Sequence, residues 1–600
     1  MQDDKQGWNQ FRRIKLDRKQ LARRVKKAEG ATQRHAHRFI TRRIDNIRLV
    51  AREVAIWLSL VGLLIAGLGV QLYFGQQNYI ANARGEGGTY SEGSLGQVNS
   101  INPLFASTST EASVARLMFS SLYNYDTRGE LHQDLATGMK IDDSHKVYTV
   151  TIRDGVKWHD GKTLTAEDVV FTINLIKNSA TRANTSLRLT WLDASVRSID
   201  KRTVEFTLPA PYASFPHALT FPVVPRHLLK DTAPSAIRES AYSRSPVGSG
   251  PFQFRRLQEA DAVSKYRVVH LSANGQYYGG KPKLDRFEMH AYPDEKSLIR
   301  AINVGEVSGA ADVSVSAVRQ VKNSQTKIIP QKLASGVYII LNTQQPILQD
   351  KAVRKALQVG TDTKAVRTGL GGGVGARDSP LLPGQLFGND IPVAPAPDIK
   401  KATAILDEAG WKMSGEYRVK GDQKLTLTIT TTKDREYDVV LRLVQEQWRK
   451  LGIKVEENIV DTSNAASSFV QNTLQGRNFD VLLYELVIGA DPDVFAYWHS
   501  SQATTIGRNL SNYMNQVADT NLASARSRLE PELRNTKYKQ FVKQWLDDVP
   551  AIALYQPVVE YAVNGNVDSV LPHSTLVTGV DRYANVTQWT VQSENVYKTP

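Results

Sequence analysis

The chain has 600 residues, 41% of them hydrophobic and 8% aromatic, enough to bury one large core or two cores with a cleft between them. It contains no cysteine, which excludes disulfides, thiolate metal sites, a cysteine nucleophile and a lipid-modified cysteine anchor. The net charge of +15 is local: residues 1–52 hold 16 Lys/Arg against 5 Asp/Glu, a net of +11, so the remainder carries +4 and its composition is no sign of nucleic-acid binding.

In the basic tail, 1–53, Phe11, Ile14, Leu21 and Val25 sit among cations, and Ile40, Ile44 and Ile47 recur at helical spacing. That pattern suits a stretch lying on anionic lipid. No helix-turn-helix is evident, which disfavours a nucleic-acid partner. Residues 54–74 then run uncharged for 21 positions. As a helix they would span about 32 Å, enough for a bilayer core. The cations precede this segment, so the positive-inside rule puts the tail in the cytoplasm and the rest of the chain outside a bacterial cell membrane. Cleavage of a signal peptide near Ala81-Asn82-Ala83 is the competing reading. The long basic region and long apolar stretch favour a retained single-pass anchor. Residues 75–96, rich in Gly, Gln, Asn and Ser, read as a flexible linker.

Helices and strands then interleave, which argues for an α/β architecture. Residues 147–152 alternate as a strand that ends at Asp154-Gly155. Thr165 caps a helix whose apolar face is Val169, Val170, Ile173 and Ile176. Further helices are predicted from Asp350 to Leu357, over 399–409 ending at Gly410, and over 437–451 ending at Gly452; a strand is predicted over 424–430.

Catalytic constellations are missing. There is no Walker loop, no H-E-x-x-H and no G-x-S-x-G, and the eleven histidines, His132, His145 and His159 among them, show no ligand spacing. The glycine-rich run 369–375 follows a helix and lacks a Lys-Ser/Thr, so it reads as a loop. Asp491-Pro492-Asp493 follows an apolar strand and precedes Phe495, Tyr497 and Trp498. Such carboxylates could hold an ammonium group, or could be the solvated acids of a proline turn. The sequence predicts no enzyme, no metal and no cofactor.

From Ser94 to Glu560 the chain resembles a known family, the solute-binding proteins of oligopeptide, dipeptide and nickel importers. The resemblance is carried by ordered blocks: Val98-Asn99-Ser100-Ile101-Asn102-Pro103-Leu104, Leu122-Tyr123-Asn124-Tyr125, the run from Tyr148 to Gly161, Leu164 to Val169, Pro225-Arg226-His227-Leu228, Pro246 to Phe252, Tyr277 to Pro282, and Asn342-Thr343 with Val353-Arg354-Lys355-Ala356-Leu357. It implies a two-lobed, periplasmic-binding-protein-like (Venus-flytrap) α/β fold preceded here by one transmembrane helix. In that fold 97–600 form the solute-binding domain. Its first lobe is 97–336 with 560–600, including an extra subdomain over 126–240; its second lobe is 337–559, and crossover strands lie near 337–343 and 553–559.

The resemblance also implies a function: capture of short peptides outside the cell, as a monomer, for the permease subunits of an ABC transporter. Family members hold the peptide extended, as an added strand, with side chains in wet pockets. The ligand-bearing strand resembles Ile488-Gly489-Ala490-Asp491, with Asp491 pairing with the peptide amine; a gap-free alignment puts Ile488 at that position instead. Ser109 and Trp191 fall where the first lobe's ligand contacts lie. Alternatives left open are another ligand on the same fold (a nickel complex, haem or a sugar) and a peptide-sensing signalling receptor.

Overall fold

The computed structural model describes residues 51–597, apart from 262–265, 372, 388–390, 462–467, 566 and 573, together with four isolated positions before 51. The amphipathic tail lies outside the described residues. Two units separate: residues 1–83 with 594–600, and residues 84–593.

In the first unit, helix Ala51–Tyr79 contains a 24-residue apolar stretch, Ala51–Phe74, of mean hydropathy 2.1 and with none of it buried. It is long and apolar enough to cross a membrane. A two-stranded ladder joins Ile80–Gly85 to Gln592–Tyr597.

The second unit is built on two mixed sheets. The eight-stranded sheet runs, in order, Thr575–Leu576, Thr326–Leu333, Val558–Asn564, Gly309–Val313, Thr89–Leu95, Arg286–Tyr292, Tyr266–Ala273 and Phe252–Asp261. Thr89–Leu95 is parallel to both its neighbours. The linker expected over 75–96 is therefore mostly strand. The misreading has a physical cause: three of the strand's buried residues are Tyr90, Glu92 and Ser94, two of them polar, so the apolar alternation that marks a strand is absent. Glu92 is tolerated there because Arg582, also buried, donates to its Oε1 at 2.7 Å, and Tyr561 donates to Oε2 at 2.5 Å.

The same lobe carries a four-stranded antiparallel subdomain, Ala136–Ile141, Val147–Ile152, Thr203–Thr207 and Ser195–Asp200. Tyr148, Val150 and Ile152 point inward from the second strand, against helix Ala166–Lys177. The Asp168 carboxylate accepts from the Thr165 N–H at 2.8 Å and so closes that helix's first turn.

The six-stranded sheet runs Gly375–Ala376, Ala551–Gln556, Ser335–Leu341, Val481–Val487, Thr426–Thr432 and Lys454–Val460. Strand alternation divides its two faces. Val337, Ile339 and Leu341 face one core, with Val440, Val444 and Trp448 of helix Arg435–Arg449. Tyr338 and Ile340 face the other, with Tyr538, Phe541 and Trp545 of helix Pro531–Asp548. Gly410 and Gly452 follow two of this lobe's helices with φ of 87° and 77°, the left-handed conformation that ends a helix at least cost in glycine.

The lobes are joined where Thr326–Leu333 continues into Ser335–Leu341 through Ala334, and where Ala551–Gln556 continues into Val558–Asn564 through Pro557. The second lobe is thus a contiguous insertion in the first.

Replacing Arg582 with Met keeps length and removes charge, leaving the Glu92 carboxylate buried without its cation. We expect a loss of about 3–5 kcal/mol in urea denaturation. The double variant Glu92→Leu/Arg582→Met should recover much of it. Full retention of stability in Arg582→Met alone would show that the pair does not hold the lobe together.

Candidate functional site

A cavity of about 590 Å³ lies between the lobes, lined by Leu95, Glu295, Asp312, Ser314, Val315 and Arg319 of the first and Gly369, Leu370, Val374, Lys433, Asp434, Glu436 and Val439 of the second. Each wall is set by local chain geometry. On the first, Asp312 takes a left-handed φ of 60° within Gly309–Val313. Its Oδ2 accepts from Ser109 Oγ at 2.5 Å and Ser94 Oγ at 3.3 Å. Ser109 opens helix Ser109–Met118, whose Glu111 accepts from the N–H groups of Asn99, Ser100 and Ser107 at 2.6–2.8 Å. One buried carboxylate therefore fixes the whole approach loop to that wall.

On the second wall, Asp434 caps helix Arg435–Arg449, accepting from the Glu436 N–H at 2.7 Å. Glu436 Oε1 accepts from Tyr555 Oη at 2.5 Å. Burial, opposed by that hydrogen bond and aided by Asp434 and Glu485 nearby, raises the Glu436 carboxyl above its ordinary value. Burial, with Asp434 nearby, likewise raises Glu485. Among the described residues neither Glu436 nor Glu485 has a basic partner, while Lys433 is paired with Asp461 at 3.1 Å.

A second feature of the second lobe lies in its backbone. Val481–Val487 pairs with Ser335–Leu341 along its full length but with Thr426–Thr432 only at Val481 and Leu482. The bond from Asn342 N to Asp480 O, at 2.9 Å, fixes the phase: even-numbered residues turn their peptide groups toward Ser335–Leu341, odd-numbered ones away. Thr431 Oγ1 donates to Leu483 O at 3.0 Å and Tyr497 Oη donates to Val487 O. Among the described residues, the Glu485 N–H and C=O and the Val487 N–H have no ladder partner in a neighbouring strand. Val487 is 57% exposed.

The residues expected to bind ligand lie in different surroundings. Ser109 is partly exposed and bound to Asp312, which lines the cavity. Trp191 is 1% exposed, its ring 5.2 Å from Phe221 and 5.8 Å from Phe206. It is a core residue of the subdomain, so it cannot reach a ligand without unpacking that core. The Ile488 and Gly489 N–H groups donate to Ala334 O at 3.0 and 2.9 Å, and Gln385 Nε2 donates to Gly489 O and Ala490 O at 2.9 and 3.2 Å. That backbone serves the join between the lobes; the open ladder positions are Glu485 and Val487, just upstream.

Asp491 is already paired. Arg534 Nη1 donates to Oδ2 at 2.8 Å and Nη2 to Oδ1 at 2.5 Å, and Ser214 Oγ donates to Oδ1 at 2.7 Å. Burial pushes this carboxyl up, but the Arg534 pair outweighs it and holds Asp491 below the ordinary carboxylate value. A ligand amine would have to share oxygens with a bidentate guanidinium. Asp493 is raised by burial and lies 3.4 Å from Arg526. Sequence reading missed Asp312, Glu436 and Glu485; the helix expected over 437–451 left Glu436 outside it, whereas the helix spans Arg435–Arg449. It also missed that Asp126, Glu130 and His132 converge within metal-ligand distances, although Arg128 already bonds both carboxylates there.

Comparison with known proteins identifies the site's setting. The bacterial extracellular solute-binding proteins, family 5 (middle region), match residues 130–507. The oligopeptide-binding protein AppA of Bacillus subtilis is 27% identical over 503 residues, 81% of this chain and 90% of that protein. Its structure in complex with a nonapeptide matches with a TM-score of 0.67 at 26% identity, covering 85% of this chain and 100% of AppA. NikZ of Campylobacter jejuni, in complex with Ni(L-His), matches with a TM-score of 0.69 at 25% identity, covering 84% and 99%.

Exchanging Asp491 for Asn leaves Arg534 half-satisfied and largely buried, and should cost about 2–4 kcal/mol of stability. Because the folded carboxyl is depressed, its contribution is complete above the unfolded value of about 3.9 and is lost as pH falls through the lower folded value. Urea denaturation of both proteins should show a constant gap from neutrality to about pH 5 that closes on further acidification. Equal stability at pH 7 would mean that the pair is not structural.

Proposed function

Because the chain belongs to the family 5 bacterial extracellular solute-binding proteins, which bind solutes and are not enzymes, we propose that it captures short peptides in the interlobe cleft and delivers them to an ABC importer. One observation carries the choice of peptide. The unladdered stretch of Val481–Val487 offers a donor and an acceptor at Glu485 and a donor at Val487, the groups that an extended peptide main chain pairs with when it adds to a sheet edge. Asp312, held by Ser109, lines the first lobe's side of the cavity. The ligand's amine, in this reading, is not anchored by Asp491, so affinity resides in the main chain and in pockets for side chains. The likeness to NikZ supports a second reading, a compact metal complex held by Glu436 and Glu485.

A thermal-shift screen of the full-length chain in detergent, with tri- to nonapeptides, separates these readings, since a ligand of the native state raises the melting temperature. N-acetylation of a hit should change its affinity less than about threefold, whereas N-methylation of central amides should weaken it about tenfold per lost hydrogen bond. Melting shifts from nickel–histidine and none from peptides would overturn the peptide reading.

The Ala51–Phe74 helix supports anchoring: the apolar stretch is long enough to span, and the cations of residues 1–52 lie on its N-terminal side. We infer a cytoplasmic tail, a retained membrane helix and an external binding domain in the membrane that holds the transporter. Protease added to intact cells should digest residues beyond 84 and spare the tail. Protection of the binding domain under those conditions would exclude this topology.

A further inference from the structure

We propose that residues 212–214 of the first lobe clasp the second lobe on the face of the six-stranded sheet opposite the cavity, and that this clasp restrains rotation about the join. The contacts belong to different kinds of interaction but converge on one short segment. The Ala213 N–H donates to Arg526 O at 2.9 Å. The Ser214 hydroxyl donates to Asp491 Oδ1 at 2.7 Å and accepts from Arg534 Nη2 at 2.8 Å. One oxygen thus touches both members of an ion pair carried by the second lobe, and His217 of the first lobe places its Nε2 3.7 Å from Asp491 Oδ2. The Arg526 guanidinium stands 4.5 Å from the Tyr212 ring and 4.6 Å from the Phe495 ring, sandwiched between a side chain of each lobe. Tyr125 of the first lobe packs into the second lobe's apolar cluster and bonds His217 Nδ1 at 2.9 Å.

The position of the clasp follows from strand alternation. Asp491, Arg526 and Arg534 are carried by the turn and helices that pack on Tyr338 and Ile340, whereas Glu436 and Asp434 begin the helix that packs on Val337 and Ile339. The join at Ala334 and Pro557 runs between the two sets. A binding protein of two lobes must rotate about such a join to exchange solute. Hydrogen bonds through a single hydroxyl tolerate little displacement, so rotation in either direction must break those of Ser214. The clasp therefore sets the resting angle of the cleft before any solute arrives.

The absence of cysteine makes the test direct, because two introduced cysteines are the sole labelling sites. Spin labels at Lys201 and Asp422, exposed on the first and second lobes, report the interlobe distance in the full-length, ligand-free chain; labels at Lys201 and Lys230 report within the first lobe. In Tyr212→Leu/Ser214→Ala the width of the interlobe distribution should roughly double, as further lobe arrangements become populated, with the intralobe width unchanged. An interlobe distribution that superimposes on that of the unaltered chain overturns the proposal. Should the intralobe distribution also broaden, Ser214→Ala alone, which deletes one oxygen, decides by the same criterion.

Discussion

The chain passes between its lobes at two residues, Ala334 and Pro557, and the surrounding hydrogen bonds are committed to holding that narrow join. The Ala334 N–H reaches Leu576 O in the first lobe at 2.7 Å, while its carbonyl takes the Ile488 and Gly489 N–H groups of the second. Leu333 N donates to Pro557 O at 3.0 Å, and Gln556 Nε2 donates to Leu333 O at 2.7 Å, stapling the two crossings to each other. Proline at 557 has no N–H to leave unsatisfied where the chain changes sheets. This accounting explains why the unladdered positions stop at Val487: from Ile488 onward the backbone is spent on the join.

The two groups of carboxylates differ in their partners. Three largely buried carboxylates of the fold have an arginine, Arg582 for Glu92, Arg534 for Asp491 and Arg526 beside Asp493, while Glu111 and Asp168 accept backbone N–H groups. At the cavity wall Glu436 is met by a tyrosine hydroxyl and by further acids. Desolvating a carboxylate without a cation is costly, so the wall is poised to gain from any ligand that brings donors or positive charge, and the paired acids are not.

Much of the architecture was legible in the sequence because local rules and global fold agree there. The 147–152 alternation, the Thr165 cap, the helix start at Asp350 and the glycines at 410 and 452 all mark the ends and faces of real elements. The misreadings share a cause, a partner remote in sequence. Thr89–Leu95 looks like tether until Arg582 is seen against Glu92. Asp491 looks like a free anion until Arg534, 43 residues on, closes on it. Trp191 occupies a stretch that aligns with ligand contacts, and only the packing of Phe206, Phe215 and Phe221 around it shows that it belongs to the interior. Single-residue chemistry was readable; pairing across the chain was not.

The Glu92–Arg582 pair also dictates an order of assembly. Its members are separated by 490 positions, and the central Thr89–Leu95 strand lies in a sheet that is incomplete without Val558–Asn564. The inserted lobe, Ser335–Gln556, has all six strands of its own sheet within one continuous span. During vectorial synthesis the part of the first lobe that precedes the insertion therefore emerges early and closes last, with a carboxylate awaiting its arginine and open strand edges exposed meanwhile. The topology thus makes its demand on the order of synthesis: Thr89–Leu95 and Glu92 precede the inserted lobe, and Val558–Asn564 and Arg582 follow it.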